Sequence, residues 1–300
     1  MGSATQIGSD LGLKLVVVCP ANAVTGGPEA MHQLVHTANR AQPGSAAILY
    51  APFTVHANPQ EYRHYECPII MRDQVPQDAL VVLPEIWPDI AATFSNRCAL
   101  WWLSVGNFGS HGQRNLERIS LHLCQSRYAF EHVQKNLSFE PMMLTDWVDV
   151  LPVDTVRLPR VAVNPAKDAG MLRYFVESKK FDVAELRGMD KIGVSAALHG
   201  SRMYVDFGNH PGRDRLPREA ALAGCTVLST YLGAACYWDD MPLPNHYKFD
   251  TLDELTGKVE EELDHYDHYR SASQIGYESW VKKNRADFES EVDSLLSILN

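Results

Sequence analysis

The sequence predicts an α/β protein made of two Rossmann-like units, each a parallel sheet covered by helices. Three features predict it. Apolar runs of strand length, such as "LKLVVVC" (13–19) and "ALVVLPE" (79–85), are hydrophobic nearly throughout, as strands buried on both faces must be. Helical stretches and Pro/Gly-rich turns separate these runs. Near residue 160 the strand–loop–helix pattern starts again.

The elements follow in order. After "LKLVVVC" the loop "PANAVTGG" leads into "PEAMHQLVHTANRA", a helix with Pro28 in a first turn that tolerates it. "AAILYAP" (46–52) is the second strand, "PQEYRHYE" (59–66) a short helix and "PIIMRD" a strand edge. "ALVVLPE", "CALWWLSV" (98–105) and "ISLHLCQS" (119–126) are further strands, and "RYAFEHVQKN" is the helix after them. In the second unit "RVAVNPAKDAG" (160–170) is a strand running into a Pro/Lys/Gly loop, followed by the helix "MLRYFVESKK". "FDVAELRGMDKIGVSAALHGS" reads as a loop and a helix, and "RMYVDFG" (202–208) as a strand. "PREAALAGC" is a helix opened by Pro217 and stopped by Gly224, with the strand "TVLST" (226–230) after it. From about 251 the chain is polar with helical spacing, carrying Trp280, Phe288 and Leu295. The expected units are 11–157 and 158–270, with a terminal helix over 271–300.

Composition bounds the function. With 300 residues, 45% of them hydrophobic, the chain can bury two cores. A formal net charge of −10 argues against a protein that coats nucleic acid. The six scattered cysteines form no C-x-x-C pair and no metal-ligand spacing, which points to a reducing, cytoplasmic setting. No apolar run approaches the roughly 20 residues that span a bilayer. The polar start "MGSATQIGSD" has neither the basic region nor the apolar core of a signal peptide.

Ligands of open parallel sheets bind beyond the carboxyl ends of the strands. The loops expected there are "PANAVTGG", "PEIWPD", "SVGNFGSHG", "NPAKDAG" and "GNHPGRDRLPRE", two sets that would face one another across a cleft. The stretch "DFGNHPGRDRLPREAALAGC" (206–225) is the strongest signal. Arg213, Arg215 and Arg218 offer forked donors to phosphate. Gly208 and Gly212 let backbone N–H groups approach an anion, and the next helix adds its N-terminal dipole. His210 can donate to a phosphate or leaving-group oxygen, and Glu219 can accept from sugar hydroxyls. In the competing reading the arginines pair with Asp206 and Asp214, and Glu219 caps the helix. In the first unit Glu85, directly after a strand, is the first candidate for a general base. Its alternative role is to cap the turn before Trp87. His111, on a Gly-rich loop, is the second candidate.

Several absences narrow the chemistry. No G-x-G-x-x-G follows the first strand, no Walker A loop occurs, and no G-x-S-x-G elbow is present. His32 with His36, and His265 with His268, have helical spacings that suit a metal. Neither pair has a third ligand in sequence, and exposed helix faces explain them better.

The segment "PREAALAGCTVLST" resembles the donor side of GT-B glycosyltransferases, in which a Glu opens a helix, small residues end in Gly, and a strand follows. That resemblance implies that Glu219 binds ribose or sugar hydroxyls of a nucleotide-sugar. "RVAVNPAKDAG" is similar to the opening of the second GT-B domain and implies that Lys167 meets the donor diphosphate. "TGGPEAMHQLV" is similar to the Gly-rich loop of the acceptor-side domain, which implicates Gly26 and Gly27. The pattern over residues 13–250 resembles glycosyltransferase-like proteins of bacterial capsule and surface-polysaccharide clusters. It implies a nucleotide-sugar substrate, no separate cofactor, a glycan or glycolipid acceptor, and work at the inner face of the membrane or in an assembly complex. No D-x-D occurs, so the metal signature of the GT-A class is missing and no metal is expected. The chain departs from the E-x7-E pair of retaining GT-B enzymes, because Pro211 stands where the first Glu would be. His210–Pro211 instead resembles a motif of CMP-sugar transferases of the sialyl and Kdo types. A non-catalytic GT-B-like protein that binds glycan or nucleotide is the other alternative.

Overall fold

The computed structural model describes residues 12–53, 59–168, 170–266 and 271–300. It divides into two compact units whose segments interleave in sequence. One comprises residues up to Gln125, His132–Asp146 and Phe288–Asn300; the other comprises Ser126–Glu131 and Trp147–Asp287.

In the first unit, strand β1 (Leu15–Pro20) is a β-branched run with its first five residues buried. It leads through the loop at 21–25 into helix α1 (Gly26–Ala41), then β2 (Ala46–Ala51), β3 (Leu80–Pro84), β4 (Cys98–Trp102) and β5 (Ile119–Cys124). Helix α2 (Arg127–Leu137) and the two-residue β6 (Met142–Met143) follow. All strand pairs are parallel, in the order β2-β1-β3-β4-β5-β6. Successive residues of a strand face opposite sides of its sheet, so a central strand must be apolar at every position. Strand β4 satisfies this with Trp101 and Trp102, both fully buried. Their indole N–H groups donate to the Leu144 carbonyl and to His122 Nδ1, at 2.8 and 2.9 Å.

The second sheet holds β7 (Leu158–Asp168), β8 (Asp182–Glu185), β9 (Ser201–Phe207), β10 (Thr226–Thr230) and β11 (Lys248–Phe249). Between them run α3 (Leu172–Glu177), α4 (Lys191–His199) and α5 (Arg215–Leu222), and α6 (Leu252–His265) and α7 (Ala272–Ser297) close the chain. This sheet too is wholly parallel, in the order β11-β10-β9-β7-β8. Counted from its own first strand, the first sheet reads 2-1-3-4-5-6 and the second 2-1-3-4-5. Each therefore reverses direction once, between β1 and β3 and between β7 and β9. In open α/β sheets the crevice at that reversal, beyond the carboxyl ends, is where ligands sit.

Some local expectations change. "DVAE", read as loop, is the edge strand β8, because it pairs with β7 from Arg160 to Val163. Its four residues are too short and too polar to stand out as a strand. The segment 59–66 forms a 3-10 helix over Gln60–Tyr65, and "PIIMRD" contributes one isolated bridge, Ile69 to Ile48. Helix α5 begins two residues before Pro217, and Gly224 ends the turn after it with φ +87°, the left-handed conformation that glycine favours. The last turns of α7, with Phe288, Val292, Leu295 and Leu296 buried, fall in the first unit, whereas Tyr277 and Trp280 pack in the second. All six cysteines are free. No helix among the described residues is long and apolar enough to cross a membrane.

Candidate functional site

At the reversal point of the second sheet, β7 ends beside β9, with Asp168 level with Phe207. Lys167, next to last in β7, lies against Gly208: a Cβ on that glycine would stand 3.4 Å from the lysine side chain and 2.8 Å from Asp206 Oδ1. A larger residue at 208 would therefore part the two strand ends.

Between β9 and α5 the loop folds around a buried charge cluster. Asp206 accepts from the Gly208 N–H and the Tyr204 hydroxyl, both at 2.8 Å. His210 is 1% exposed, with Nε2 2.9 Å from Ser229 Oγ and 3.5 Å from Asp206 Oδ1. Its Nδ1 faces Asp214 Oδ2 at 3.1 Å without a well-aligned hydrogen bond. The other Asp214 oxygen, Oδ1, takes the Lys167 ammonium. Burial works against a charged imidazole, but the Asp206 and Asp214 carboxylates outweigh it and hold His210 above its ordinary value; Lys167 pulls the other way. Burial likewise works against the Asp214 carboxylate, and His210 with Lys167 overcomes it and holds the group below the usual range.

The donor atoms of Asp206, His210 and Asp214 lie within 4.8 Å of one another, a spacing that metal ligands can have. These atoms are engaged with each other, with Ser229, Tyr204 and Gly208, and with the Lys167 ammonium, which makes the group a closed ion-pair network. Among the titratable pairs singled out in sequence, His32 and His36 are structural and not on an exposed face. The His32 ring bridges the Pro28 carbonyl and the Tyr50 hydroxyl at 2.7 and 2.8 Å, and His36 bonds the Tyr65 carbonyl at 2.8 Å. His265 bonds its own helix at the Glu261 carbonyl, and His268 lies outside the described residues.

The arginines take separate places. Arg218, 1% exposed, turns its guanidinium back onto the loop, donating to the Arg213 and Asp214 carbonyls at 2.9 and 3.2 Å. Those donors brace the loop from beneath. Arg213 is 7% exposed and stacks on the Trp280 ring at 4.8 Å. Arg215 pairs with Glu219 at 3.4 Å and donates to the Trp147 carbonyl at 3.2 Å. Gly212 is buried in the loop just before them. Asp214 holds the N-cap position of α5 but makes no side-chain bond to the helix, because its carboxylate is drawn to His210 and Lys167.

The first unit carries its own candidates at its own reversal point. Gly26 and Gly27 open α1 beyond β1, and Glu85 follows β3. Leu103 brings them close: its N–H reaches Glu85 Oε2 at 3.4 Å, and its side chain stands 3.5 Å from where a Gly27 Cβ would be. Glu85 is 3% exposed. Burial pushes its carboxyl up to about 8, against the backbone N–H groups of Glu85, Leu103 and Ser104, which favour the charged form. The Gly-rich loop folds over this end, with Gly109 N–H on the Glu85 carbonyl at 2.9 Å and His111 N–H on the Ile86 carbonyl at 3.2 Å. The His111 ring is exposed, edge-on to Trp87 at 6.1 Å and 3.0 Å from Ser110 Oγ.

Several solved structures share this architecture. The Anabaena protein HepE, in complex with UDP-glucose, matches with a TM-score of 0.64 over 95% of this chain and 99% of its own, at 10% identity. A glycosyltransferase from Rickettsia africae matches at 0.60, over 96% and 97% of the two chains, at 11% identity. The catalytic domain of starch synthase IV from Arabidopsis thaliana, bound to ADP and acarbose, matches at 0.58, over 95% and 100%, at 9% identity. The fold is GT-B. No protein-family model and no curated protein matches the chain in sequence. The second unit carries the buried cluster.

Sequence reasoning singled out Lys167, His210, Glu219 and the arginines, and weighed Asp206 and Asp214 only as their partners. It missed Tyr204 and Ser229. An aspartate at the end of the apolar run "RMYVDF", and a serine within "TVLST", were the available signals.

Proposed function

We propose that this chain is a glycosyltransferase that moves a sugar from a nucleotide-sugar donor to a bacterial surface polysaccharide or glycolipid acceptor, without a bound metal, in the cytoplasm at the inner face of the membrane. The observation that carries the reading is the position of Lys167, half-exposed at the end of β7, beside a glycine loop and the opening of α5 at the reversal point of its sheet. HepE was solved with UDP-glucose and starch synthase IV with ADP, which supports a nucleotide-sugar donor here.

In this reading Lys167 and the first turn of α5 receive the diphosphate, Gly212 lets backbone approach it, and Glu219 takes sugar or ribose hydroxyls. Arg213 and Arg215 add positive potential, and the cations stabilise the departing phosphate in place of a metal ion. Arg218 holds the loop that presents them. Gly26, Gly27 and His111 serve the acceptor. Glu85 is the base toward the acceptor hydroxyl, a role suited to a carboxyl whose pKa lies near working pH. The CMP-sugar version, in which His210 meets the donor phosphate, draws no support from a ring this enclosed.

A thermal-shift panel of CMP, UDP, GDP, dTDP and ADP, each with and without magnesium, tests the reading. A nucleotide at about 100 times its dissociation constant adds roughly 2.7 kcal/mol. A magnesium-independent response to UDP, GDP, dTDP or ADP is the expected result. A response to CMP alone moves the donor to the CMP-sugar class, and no response to any of them removes the donor assignment.

A further inference from the structure

Asp214 is a shared counter-ion. Its Oδ1 takes Lys167, and its Oδ2 faces His210 Nδ1 at 3.1 Å. On the other side of the ring, Ser229 Oγ lies 2.9 Å from Nε2 and 3.2 Å from the Thr230 carbonyl. A carbonyl only accepts, so the serine donates to Thr230 and accepts from Nε2–H. Nδ1 is therefore the atom at which the ring gains or loses its second proton.

The surroundings count closely. Asp206 and Asp214 face the ring from β9 and the loop, and Lys167 faces it from β7. Tyr204 sits on Asp206; Tyr277 of α7, Arg213, Arg218 and Glu219 complete the shell. At the centre two carboxylates stand against Lys167 and the imidazole, so the core is neutral only when His210 is protonated. Its four members differ in reach. The side chains of Asp206 and His210 are 1% exposed and that of Asp214 11%, whereas that of Lys167 is 36% exposed. Lys167 is the member that an incoming anion meets.

We propose that anion binding at Lys167 is coupled to proton uptake by His210: when a phosphate draws the ammonium from Asp214 Oδ1, a proton from solvent adds to His210 Nδ1 and the imidazolium takes over the carboxylate. The inference rests on the nucleotide-binding reading and deepens it. His210 is then a positioning residue. It holds Asp214, the N-cap residue of α5, while Lys167 moves to the ligand, and its own carbonyl anchors the loop through the Ala234 N–H at 2.8 Å. The direction of the coupling follows from charge. Lys167 lowers the proton affinity of His210, so its departure raises it. Between the ligand-free and ligand-bound midpoints, both above the ordinary histidine value, affinity must fall as pH rises. Below both midpoints the ring is already charged and no proton is exchanged.

Calorimetric titration of UDP and ADP into the full chain and into His210→Gln, in buffers of different ionisation enthalpy at pH values from just above the NMR titration midpoint of the ligand-free His210 ring, reads this directly. The second ionisation of the phosphate, near pKa ~6, contributes alike to both proteins and cancels in their difference. Up to about one proton taken up per nucleotide is expected, with the dissociation constant rising up to ~10-fold per pH unit. His210→Gln should abolish both effects. In the ligand-free protein, Lys167→Met, a change at a half-exposed side chain, should move the NMR titration midpoint of the His210 ring upward. Bound nucleotide with buffer-independent heats, or a midpoint unmoved by Lys167→Met, would overturn the coupling. Absence of binding by any nucleotide overturns the donor reading instead, even where the midpoint moves, and the coupling loses its ligand with it.

Discussion

Gly233 lies so close to His210 that a Cβ added to it would stand 2.1 Å from the His210 carbonyl oxygen. It would also stand 2.4 Å from the Asn209 carbonyl oxygen, and Gly233 itself has φ +58°. The next N–H, of Ala234, donates to the same His210 carbonyl at 2.8 Å. The loops after β9 and β10 are thus locked backbone to backbone, and the lock leaves no room for a side chain. Gly233→Ala must force them apart, at a cost of roughly 2–4 kcal/mol from strain and collision. The checks are the unfolding temperature and the nucleotide response; both should fall, and a variant with both unchanged would contradict the lock.

Arg218 is expected to behave as part of the scaffold. Arg218→Ala removes the donors to two loop carbonyls and empties a fully buried position. A loss of about 2–4 kcal/mol follows. Arg218→Lys should recover little of it, because an ammonium cannot reproduce the fork. Chemical denaturation of the two variants decides: full stability in Arg218→Ala would return this arginine to the list of ligand contacts.

Glu219 should show the opposite signature. Its ion pair with Arg215, at 3.4 Å between side chains 13% and 16% exposed, adds on the order of 1 kcal/mol to stability. Glu219→Ala should leave the unfolding temperature within a few degrees of the parent. If the carboxylate holds ribose or sugar hydroxyls, nucleotide-sugar affinity should drop about 10- to 100-fold, equivalent to ~1.4–2.8 kcal/mol. Unchanged affinity removes Glu219 from the donor site.

Glu85 predicts a pH dependence of stability. Its folded-state pKa, about 8, lies above the ordinary 4.5, so the folded protein favours the protonated carboxyl. The stability this gives is fully present below pH 4.5 and is lost as pH rises through about 8. At ~1.4 kcal/mol per unit, the loss over the whole range is on the order of 5 kcal/mol. Glu85→Gln has no such titration, so its stability relative to the parent should improve steadily from pH 5 to pH 8.5. A constant difference across that range would show that burial does not hold the proton. In a turnover assay, a base at this position would give a rate that climbs toward pH 8 and is lost in the glutamine variant.

Much of the architecture is legible in the residues themselves. "LVVVC", "ALWW" and "MYV" are apolar on both faces, which only a covered parallel strand requires, and the structure buries them in two parallel sheets. Pro217 and Gly224 bracket a helix because one tolerates a first turn and the other a left-handed stop. The Gly-, Arg- and Glu-rich stretch after β9 announces a loop with a purpose. These are local signals, set by neighbours a few positions apart. "DVAE" lacks such a signal: four half-polar residues become a strand only because β7 supplies the hydrogen bonds.

The division between Arg213, Arg215 and Arg218 was not legible. The three are equivalent as letters, and burial alone turns Arg218 inward onto carbonyls while Arg213 rests on Trp280 from the terminal helix. Nor was it legible that Asp214, an N-cap by position, gives its carboxylate to His210 and Lys167 instead of to the helix. By itself, then, the sequence determined which long apolar segments are strands, which loops lie at their carboxyl ends, and which residue types gather there. The tertiary structure alone decided the strand order that sets β7 beside β9, and with it the partner of each charge. Strand order and ion pairing depend on segments distant in the chain, whose proximity exists only once both sheets are folded.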